Sequence, residues 1–333
     1  MILVSGGTGF IGAHLLLFLA RKNERVRAIY RNKQSISKTK RLFALYSAKP
    51  EELLQNIEWF PADITDVTTL EKAFENVKKV YHTAAKVSFD PKNNDEMHLV
   101  NIEGTANMVN LAIENKIEKF IHLSSIAALG SYDNPISEKT HWNWKNYGSE
   151  YAVSKYLSEM EVWRATQEGL NAVILNPSVV LGAGFWNEGS GTIFTNIAKG
   201  LPFYAEGVVG FVDVWDLVKA MHQLMQSKIV NDSFIVSAEN LSYQELFGKI
   251  AQCFDKKPPS IKLRKWMTAL IWRAEFVRSK LFNTEPILTK STAATAFRKT
   301  YYSSDKLKET LQFSFIPIDA SIRNIVDKYP KKA

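Results

Sequence analysis

The chain opens Met1-Ile2-Leu3-Val4-Ser5-Gly6-Gly7-Thr8-Gly9-Phe10-Ile11-Gly12, an apolar run that ends in a glycine turn and leads straight into the helical pattern Ile11–Arg21. Strand, glycine turn and helix in that order are the context a dinucleotide-binding loop needs. The glycines permit the tight turn and let main-chain N–H groups approach a pyrophosphate at the positive end of the helix. Glycine turns between strand and helix also occur without a ligand. Here the reading rests on the turn's place at the head of a βαβ unit, where both the Gly6/Gly9/Gly12 and the Gly7/Gly9/Gly12 spacings are available.

Outward from this stretch, short apolar runs alternate with longer helical patterns. Strands are expected at Ile2–Ser5, Arg25–Tyr30, Ile57–Phe60, Lys79–His82, Phe120–Ser124 and Ala172–Asn176, and helices at Ile11–Arg21, Val67–Val77, Glu96–Asn115 and Tyr151–Glu168. That beat predicts an α/β protein with a doubly wound parallel sheet of Rossmann type. After Pro177 it gives way to glycine-punctuated loops, with Gly182, Gly184, Gly189, Gly191, Gly200, Gly207 and Gly210 in close succession. A helical pattern from Trp215 and a strand at Ser233–Val236 return the chain to the sheet, and Ser242-Tyr-Gln-Glu245 offers a capping box. The expected division is residues 1–176 with 208–238 as the nucleotide-binding domain, and 177–207 with 239–333 as a smaller, mainly helical substrate lobe.

Composition bounds the function classes. With 333 residues, 46% of them hydrophobic and 23% charged, the chain is long enough for a large core, and disorder is excluded. The one cysteine, Cys253, can form neither an intrachain disulfide nor a thiolate cluster, so a reducing compartment, the cytoplasm, is expected. There is no basic lead, and the run Leu15–Ala20 is far too short to span a bilayer, so neither signal peptide nor transmembrane helix is expected. Net charge is +8, gathered in 21–41 (nine Lys/Arg against one Glu) and 256–280 (eight against one), and the remainder is net negative. A solvated basic face with a small phosphate site accounts for this better than nucleic-acid binding. Six histidines show no metal-ligand spacing, so no metal is expected.

The end of the second strand selects the dinucleotide, because an acid there accepts from the 2′-hydroxyl of NAD and repels a 2′-phosphate. Tyr30 and Arg31 stand there, with Lys33 nearby, so NADP(H) is favoured over NAD(H). Asp63-Ile64, after the third strand, sits where an adenine amino group can be met.

Taken together these residues resemble the extended short-chain dehydrogenase/reductases, and most closely their dihydroflavonol reductase and 3β-hydroxysteroid dehydrogenase branch. The matching residues, in order, are the Gly6–Gly12 loop, Asp63-Ile64, Thr83-Ala84-Ala85, Asn101-x-x-Gly104-Thr105, Ser124-Ser125, Tyr151-Ala-Val-Ser-Lys155 and Asn176-Pro177-Ser178. Phe211-Val-Asp213-Val-Trp-Asp216 and the Tyr301–Leu307 stretch extend the resemblance over essentially the whole chain. It implies that Ser125, Tyr151 and Lys155 are catalytic, that Lys155 also holds the nicotinamide ribose, and that Asn101 supports the site. It further implies that Gly6, Thr8, Gly9, Phe10, Ile11, Gly12, Thr83, Ala84, Ala85, Asn176, Pro177 and Ser178 bind cofactor. The helices at 96–115 and 151–168 are the ones family members often use to dimerise, so the resemblance allows a homodimer and leaves the oligomeric state open. Two positions depart from the pattern: Asn176 stands where many members have Arg, and Leu129 replaces the usual aromatic before Gly130.

The chemistry asks for these residue types independently. Tyr151 and Lys155 are one helical turn apart, so an ammonium beside the phenol is expected to lower its pKa toward neutrality. Ser125, at the carboxyl end of the fifth strand, can hold a carbonyl oxygen beside Tyr151. A Tyr-x-x-x-Lys recurs by chance, but this one lies 26 residues after Ser125, behind a complete loop. Tyr147 precedes Tyr151 by the same spacing but lacks the lysine.

These features favour an NAD(P)H-dependent oxidoreductase interconverting a carbonyl and a secondary alcohol on a small molecule of mixed apolar character. The alternatives are a nucleotide-sugar epimerase and a non-enzymatic NADP-sensing or scaffold protein. Family dehydratases carry an Asp-Glu pair after the hydroxyl residue of the active-site strand; Ile126-Ala127 stand here, against dehydration. Finally, the basic segment 262–282 carries Trp266, Ile271, Trp272, Phe276, Val277, Leu281 and Phe282. The resemblance implies a roof over the cleft, and a peripheral membrane contact is the competing use.

Overall fold

In a computed structural model of the chain, the structure describes residues 1–130, 135–146, 148–282, 293 and 295–330. One parallel sheet holds β1 (Ile2–Ser5), β2 (Val26–Tyr30), β3 (Ile57–Pro61), β4 (Lys79–His82), β5 (Lys119–Leu123) and β6 (Ala172–Pro177). A second, three-stranded sheet holds β7 (Val179–Leu181), β9 (Val208–Asp213) and β11 (Glu239–Ser242), and the short strands β8 (Phe203–Tyr204) and β12 (Ile261–Lys262) pair with each other. A seventh strand, β10 (Asp232–Val236), completes the large sheet, whose order is β10-β6-β5-β4-β1-β2-β3. The winding direction reverses between β1 and β4, the crevice where ligands bind in open α/β sheets.

Both faces of the sheet are covered, which is why β5 and β6 are buried along their whole length. On one face α1 (Phe10–Arg21) packs Leu15, Leu16, Leu17 and Leu19 into a core shared with Phe43 of α2 (Ile36–Tyr46) and Leu54 of α3 (Pro50–Leu54). The opposite face is covered by Leu70 and Phe74 of α4 (Val67–Phe74) and, beyond the short α5 (Asn94–His98), by Met108 and Ala112 of α6 (Gly104–Glu114) and Val162 of α7 (Glu150–Gln167). A third core joins Phe194 and Ile197 of α8 (Gly191–Ala198) to Leu246 and Ile250 of α10 (Tyr243–Cys253), while α9 (Val214–Gln226) belongs to the first. The expected capping box forms: the Ser242 hydroxyl accepts from the Glu245 N–H and the Glu245 carboxylate accepts from Ser242.

Three differences from the sequence reading have physical causes. Residues 208–213 are hydrogen-bonded to β7 and β11, so the return to the large sheet starts at Val214. The helix expected over 96–115 is interrupted by a π-helical turn at Leu99–Glu103, where Asn101 is drawn inward by side-chain hydrogen bonds. Helix α2 begins inside the basic stretch 21–41 and α3 lies beyond it, and no helix was expected for either, although Ile36, Thr39, Leu42 and Phe43 form a buried stripe. Among the described residues no helix is long and apolar enough to cross a membrane.

Candidate functional site

The glycine loop is fixed by close approach. Gly6 has φ +74°, and a Cβ there would lie 2.6 Å from the Ala84 nitrogen, so β1 and the end of β4 can come together only over glycine. A Cβ on Gly12 would lie 2.1 Å from the Gly6 carbonyl oxygen. Helix α1 begins at Gly9 with no side-chain cap and no acid in its first turn, so its positive end is not offset by its own residues. Above it lies a cleft of about 360 Å³ lined by Gly6, Thr8, Gly9, Tyr30, Arg31, Asp63, Ile64, Thr83, Ala84 and Ala85. A bare helix start, glycines without room for a side chain and an adjoining elongated cleft fit a dinucleotide.

Within the cleft, one Asp63 oxygen accepts from the Thr65 N–H at 3.0 Å and the Thr65 hydroxyl at 2.9 Å. Thr83 donates to the Ser5 carbonyl at 2.6 Å, fastening β4 to β1. The exposed Arg31 guanidinium approaches Glu96 at 4.0 Å. Lys86 is bonded to the same carboxylate, and with Arg31 it holds Glu96 below the usual carboxylate range. Lys86, Glu96 and Val100 line the cleft without having been singled out in the sequence. Lys33 stands on an exposed 3₁₀ turn, outside the residues that line the cleft.

Ser125, Tyr151 and Lys155 come together where β5 ends and α7 begins. Ser125 caps a short 3₁₀ turn, its hydroxyl accepting from the Ala127 N–H at 3.2 Å. Ser149 caps α7, which sets Tyr151 in the first turn, hydrogen-bonded to the Ser125 side chain. One turn on, Lys155 is almost fully buried, and its ammonium donates to the Leu123 carbonyl at 2.9 Å. Burial pulls its pKa down to about 8 against the pull of Glu159. The phenol departs from expectation: burial pushes the Tyr151 pKa up and the Ser125 hydrogen bond only partly opposes this, while the Lys155 ammonium donates to the Leu123 carbonyl. At neutral pH Tyr151 is therefore a neutral O–H donor.

Asn101 braces this arrangement. Its side chain accepts from the Lys86 N–H at 2.7 Å and donates to the Lys86 carbonyl and to the Ser154 hydroxyl, each at 2.9 Å. Ser154 in turn donates to the Tyr151 carbonyl at 2.9 Å. Asn101 thus ties the irregular segment after β4 to the helical turn carrying Tyr151. Beneath, Glu159 is buried one turn past Lys155, and its pKa is raised to about 7 by burial, against the adjacent Ser124 hydroxyl, the Asn176 amide and the Lys155 ammonium. Helical spacing of Tyr151, Lys155 and Glu159 is the signal that could have found it. Asn176, Pro177 and Ser178 are buried beneath the site and line neither cavity; Ser178 bonds the Val236 carbonyl with its main-chain N–H at 3.0 Å. Phe10 packs edge-on to His14 and Phe185, with Ile11 beside the core and Gly12 inside the turn.

A second cavity, about 250 Å³, has Tyr151 in its wall and is mainly apolar, with Phe89, Ile126, Ala127, Val209, Tyr243 and Tyr302 around it and Arg298 and Thr300 as polar groups. None of the described residues of 262–282 lines it, while Thr295, Arg298, Thr300 and Tyr302 do. The side chains of Phe276, Val277, Leu281 and Phe282, and Tyr147 altogether, lie outside the described residues. Among the described residues no cluster of His, Cys, Asp and Glu could hold a metal. His82 and His122 are fully buried, and burial, with the Lys155 charge, pulls both well down, so they are neutral core residues.

The chain is similar to known proteins along most of its length. It is 27% identical to a putative dihydroflavonol 4-reductase of Synechocystis sp., over 92% of this chain and 88% of that protein. It is 30% identical to tetraketide alpha-pyrone reductase 2 of Arabidopsis thaliana, over 77% and 83%. The crystal structure of gox2253 superposes with a TM-score of 0.81 at 27% identity, covering 99% of this chain and 97% of that one. Residues 2–236 match the family described as NAD dependent epimerase/dehydratase, and the chain belongs to that family.

Proposed function

We propose that the chain is an NADP(H)-dependent oxidoreductase that interconverts a carbonyl and a secondary alcohol on a small, largely apolar molecule. The observation that carries this reading is the set Ser125, Tyr151 and Lys155, with Tyr151 in the wall of an apolar cavity and the glycine-loop cleft lying along the same sheet edge. Gly6, Thr8 and Gly9 would hold the pyrophosphate, Asp63 the adenine and Lys155 the nicotinamide ribose. When bound, the cofactor supplies or takes up the two electrons.

The chain's own groups do the rest. Ser125 and Tyr151 hold the substrate oxygen between two hydroxyls. In the reducing direction Tyr151 donates its proton to that oxygen, and its elevated pKa keeps the proton in place until the oxygen becomes basic. Lys155, one helical turn on and cationic below about pH 8, would hold the nicotinamide ribose beside this proton transfer. Apolar walls select a hydrophobic body and exclude water. The reductase names of the two relatives support this direction of chemistry. Arg31 at the tip of β2, with no acid beside it in sequence, supports NADP(H) over NAD(H).

The test is to follow NADPH and NADH absorbance against a panel of aromatic and alicyclic carbonyls and of UDP-sugars. Turnover of apolar carbonyls with NADPH is expected; retained NAD together with UDP-sugar turnover would replace this reading with an epimerase.

A further inference from the structure

None of the described residues of the basic segment 256–280 lines the cavities above, yet among the described residues of 239–330 it carries the most exposed large apolar side chains. Trp266 is 61% and Leu270 60% exposed, one helical turn apart on α11 (Lys265–Phe282), while Thr268, on the other side of the same turns, is buried. Beside the start of this helix, Phe203 and Ile261 are exposed too, and they pair directly across β8 and β12. Exposed cations surround these residues: Lys256, Lys257, Arg264, Lys265 and Arg273. Lys262 is matched by Glu206 at 2.5 Å, and Glu275 by Arg278 at 2.8 Å, so the surplus positive charge resides on the others.

We propose that this face, built from β8, β12 and the first turns of α11, docks reversibly on an anionic lipid bilayer. The inference goes beyond the oxidoreductase reading and does not rest on it. Indole and aliphatic side chains on a helix amid lysines and arginines suit the boundary between headgroups and acyl chains, where apolar groups sink in and cations remain with lipid phosphates and carboxylates. Charge complementarity selects the occupant, because a segment holding eight Lys/Arg against one Glu is attracted to a negative surface and screened by salt. The helix would lie on the bilayer rather than cross it, since none of the described helices meets the requirement for crossing.

The experiment is sedimentation of the full chain with vesicles of phosphatidylcholine alone, or with about a third phosphatidylserine. Binding is expected to the anionic vesicles only, and to be released by raised salt. Trp266→Ser with Leu270→Ser should lower the partition coefficient by about tenfold or more, with melting temperature and solution turnover unchanged. Arg264→Gln with Lys265→Gln, both exposed, should weaken anionic binding without altering the fold. Equal binding to both vesicles, no binding at low salt, or unchanged binding in both double variants overturns the proposal. So does a loss of self-association in the Trp266/Leu270 variant without any lipid effect, which would make the face a protein interface. Failure here leaves the NADPH assay untouched, so the two readings fail separately.

Discussion

Asn176 donates its side-chain amide to a Glu159 oxygen at 2.5 Å inside the protein, and from the same nitrogen reaches the Ser125 carbonyl at 3.1 Å. Asn176 thus links a buried carboxyl to the strand end that leads into Ser125. Burial, against the Ser124 hydroxyl, the Asn176 amide and the Lys155 ammonium, raises the Glu159 pKa to about 7, so it is the neutral acid below about that pH.

This predicts an unusual pH dependence of stability. The native state keeps the Glu159 proton up to about pH 7, whereas the unfolded chain loses it near 4.5. Across that window the native state binds more protons, so stability falls as pH rises. Lys155 acts in a higher window: its native pKa is about 8 against 10.5, so the unfolded state holds the extra proton there and stability recovers with rising pH. Glu159→Gln should abolish the decline between pH 4.5 and 7, leaving the variant relatively more stable at pH 7.5 by on the order of 2–3 kcal/mol. Urea unfolding across the range checks this, and parallel profiles for both proteins would refute it.

Arg31 sets the second prediction. It lies in the cleft at the tip of β2, with Glu96 at 4.0 Å as its acidic neighbour. Arg31→Ala should weaken NADPH by about 1.5 kcal/mol, roughly tenfold, and leave NADH nearly unchanged; the modest size follows from the exposure of the side chain. Fluorescence titrations at two ionic strengths read both the loss and its salt sensitivity. Equal NADPH and NADH affinity in the unmodified protein would remove Arg31 from this role.

The third concerns the loop. A Cβ at Gly12 would lie 2.1 Å from the Gly6 carbonyl oxygen, so Gly12→Ala must push main chain apart. Stability should drop by about 2–4 kcal/mol and dinucleotide binding should be lost. Gly169→Ala, where a Cβ meets nothing within 4 Å but φ is +98°, serves as control: strained main chain, intact binding.

How much of this was legible in the sequence depends on the range of the interactions. The strand at Ile2–Ser5, the glycine turn and the Tyr151/Lys155 pair follow from period, φ and helical spacing, so they could be read from neighbours in the chain. Glu96 with Lys86, and Glu159 with Asn176, depend on segments that only the folded sheet brings together. The phenol's shift went the other way because helical proximity of a lysine fixes neither where its ammonium bonds nor how dry the site is. Helix α2 was hidden by its own charge, since lysines flanking Ile36, Thr39, Leu42 and Phe43 masked the stripe. None of the described residues of 262–282 lines the Tyr151 cavity, whose wall includes Arg298, Thr300 and Tyr302, a placement that no local pattern encodes.

On the proposed function, Tyr151 passes the proton to the substrate oxygen. The most direct measurement is single-turnover carbonyl reduction by Tyr151→Phe, with NADPH affinity titrated on the same protein. Reduction is expected to be about 10²–10⁴-fold slower with affinity nearly unchanged, the range that general acid catalysis contributes. Retention of more than about a tenth of the rate would contradict it and require another proton donor in the cavity.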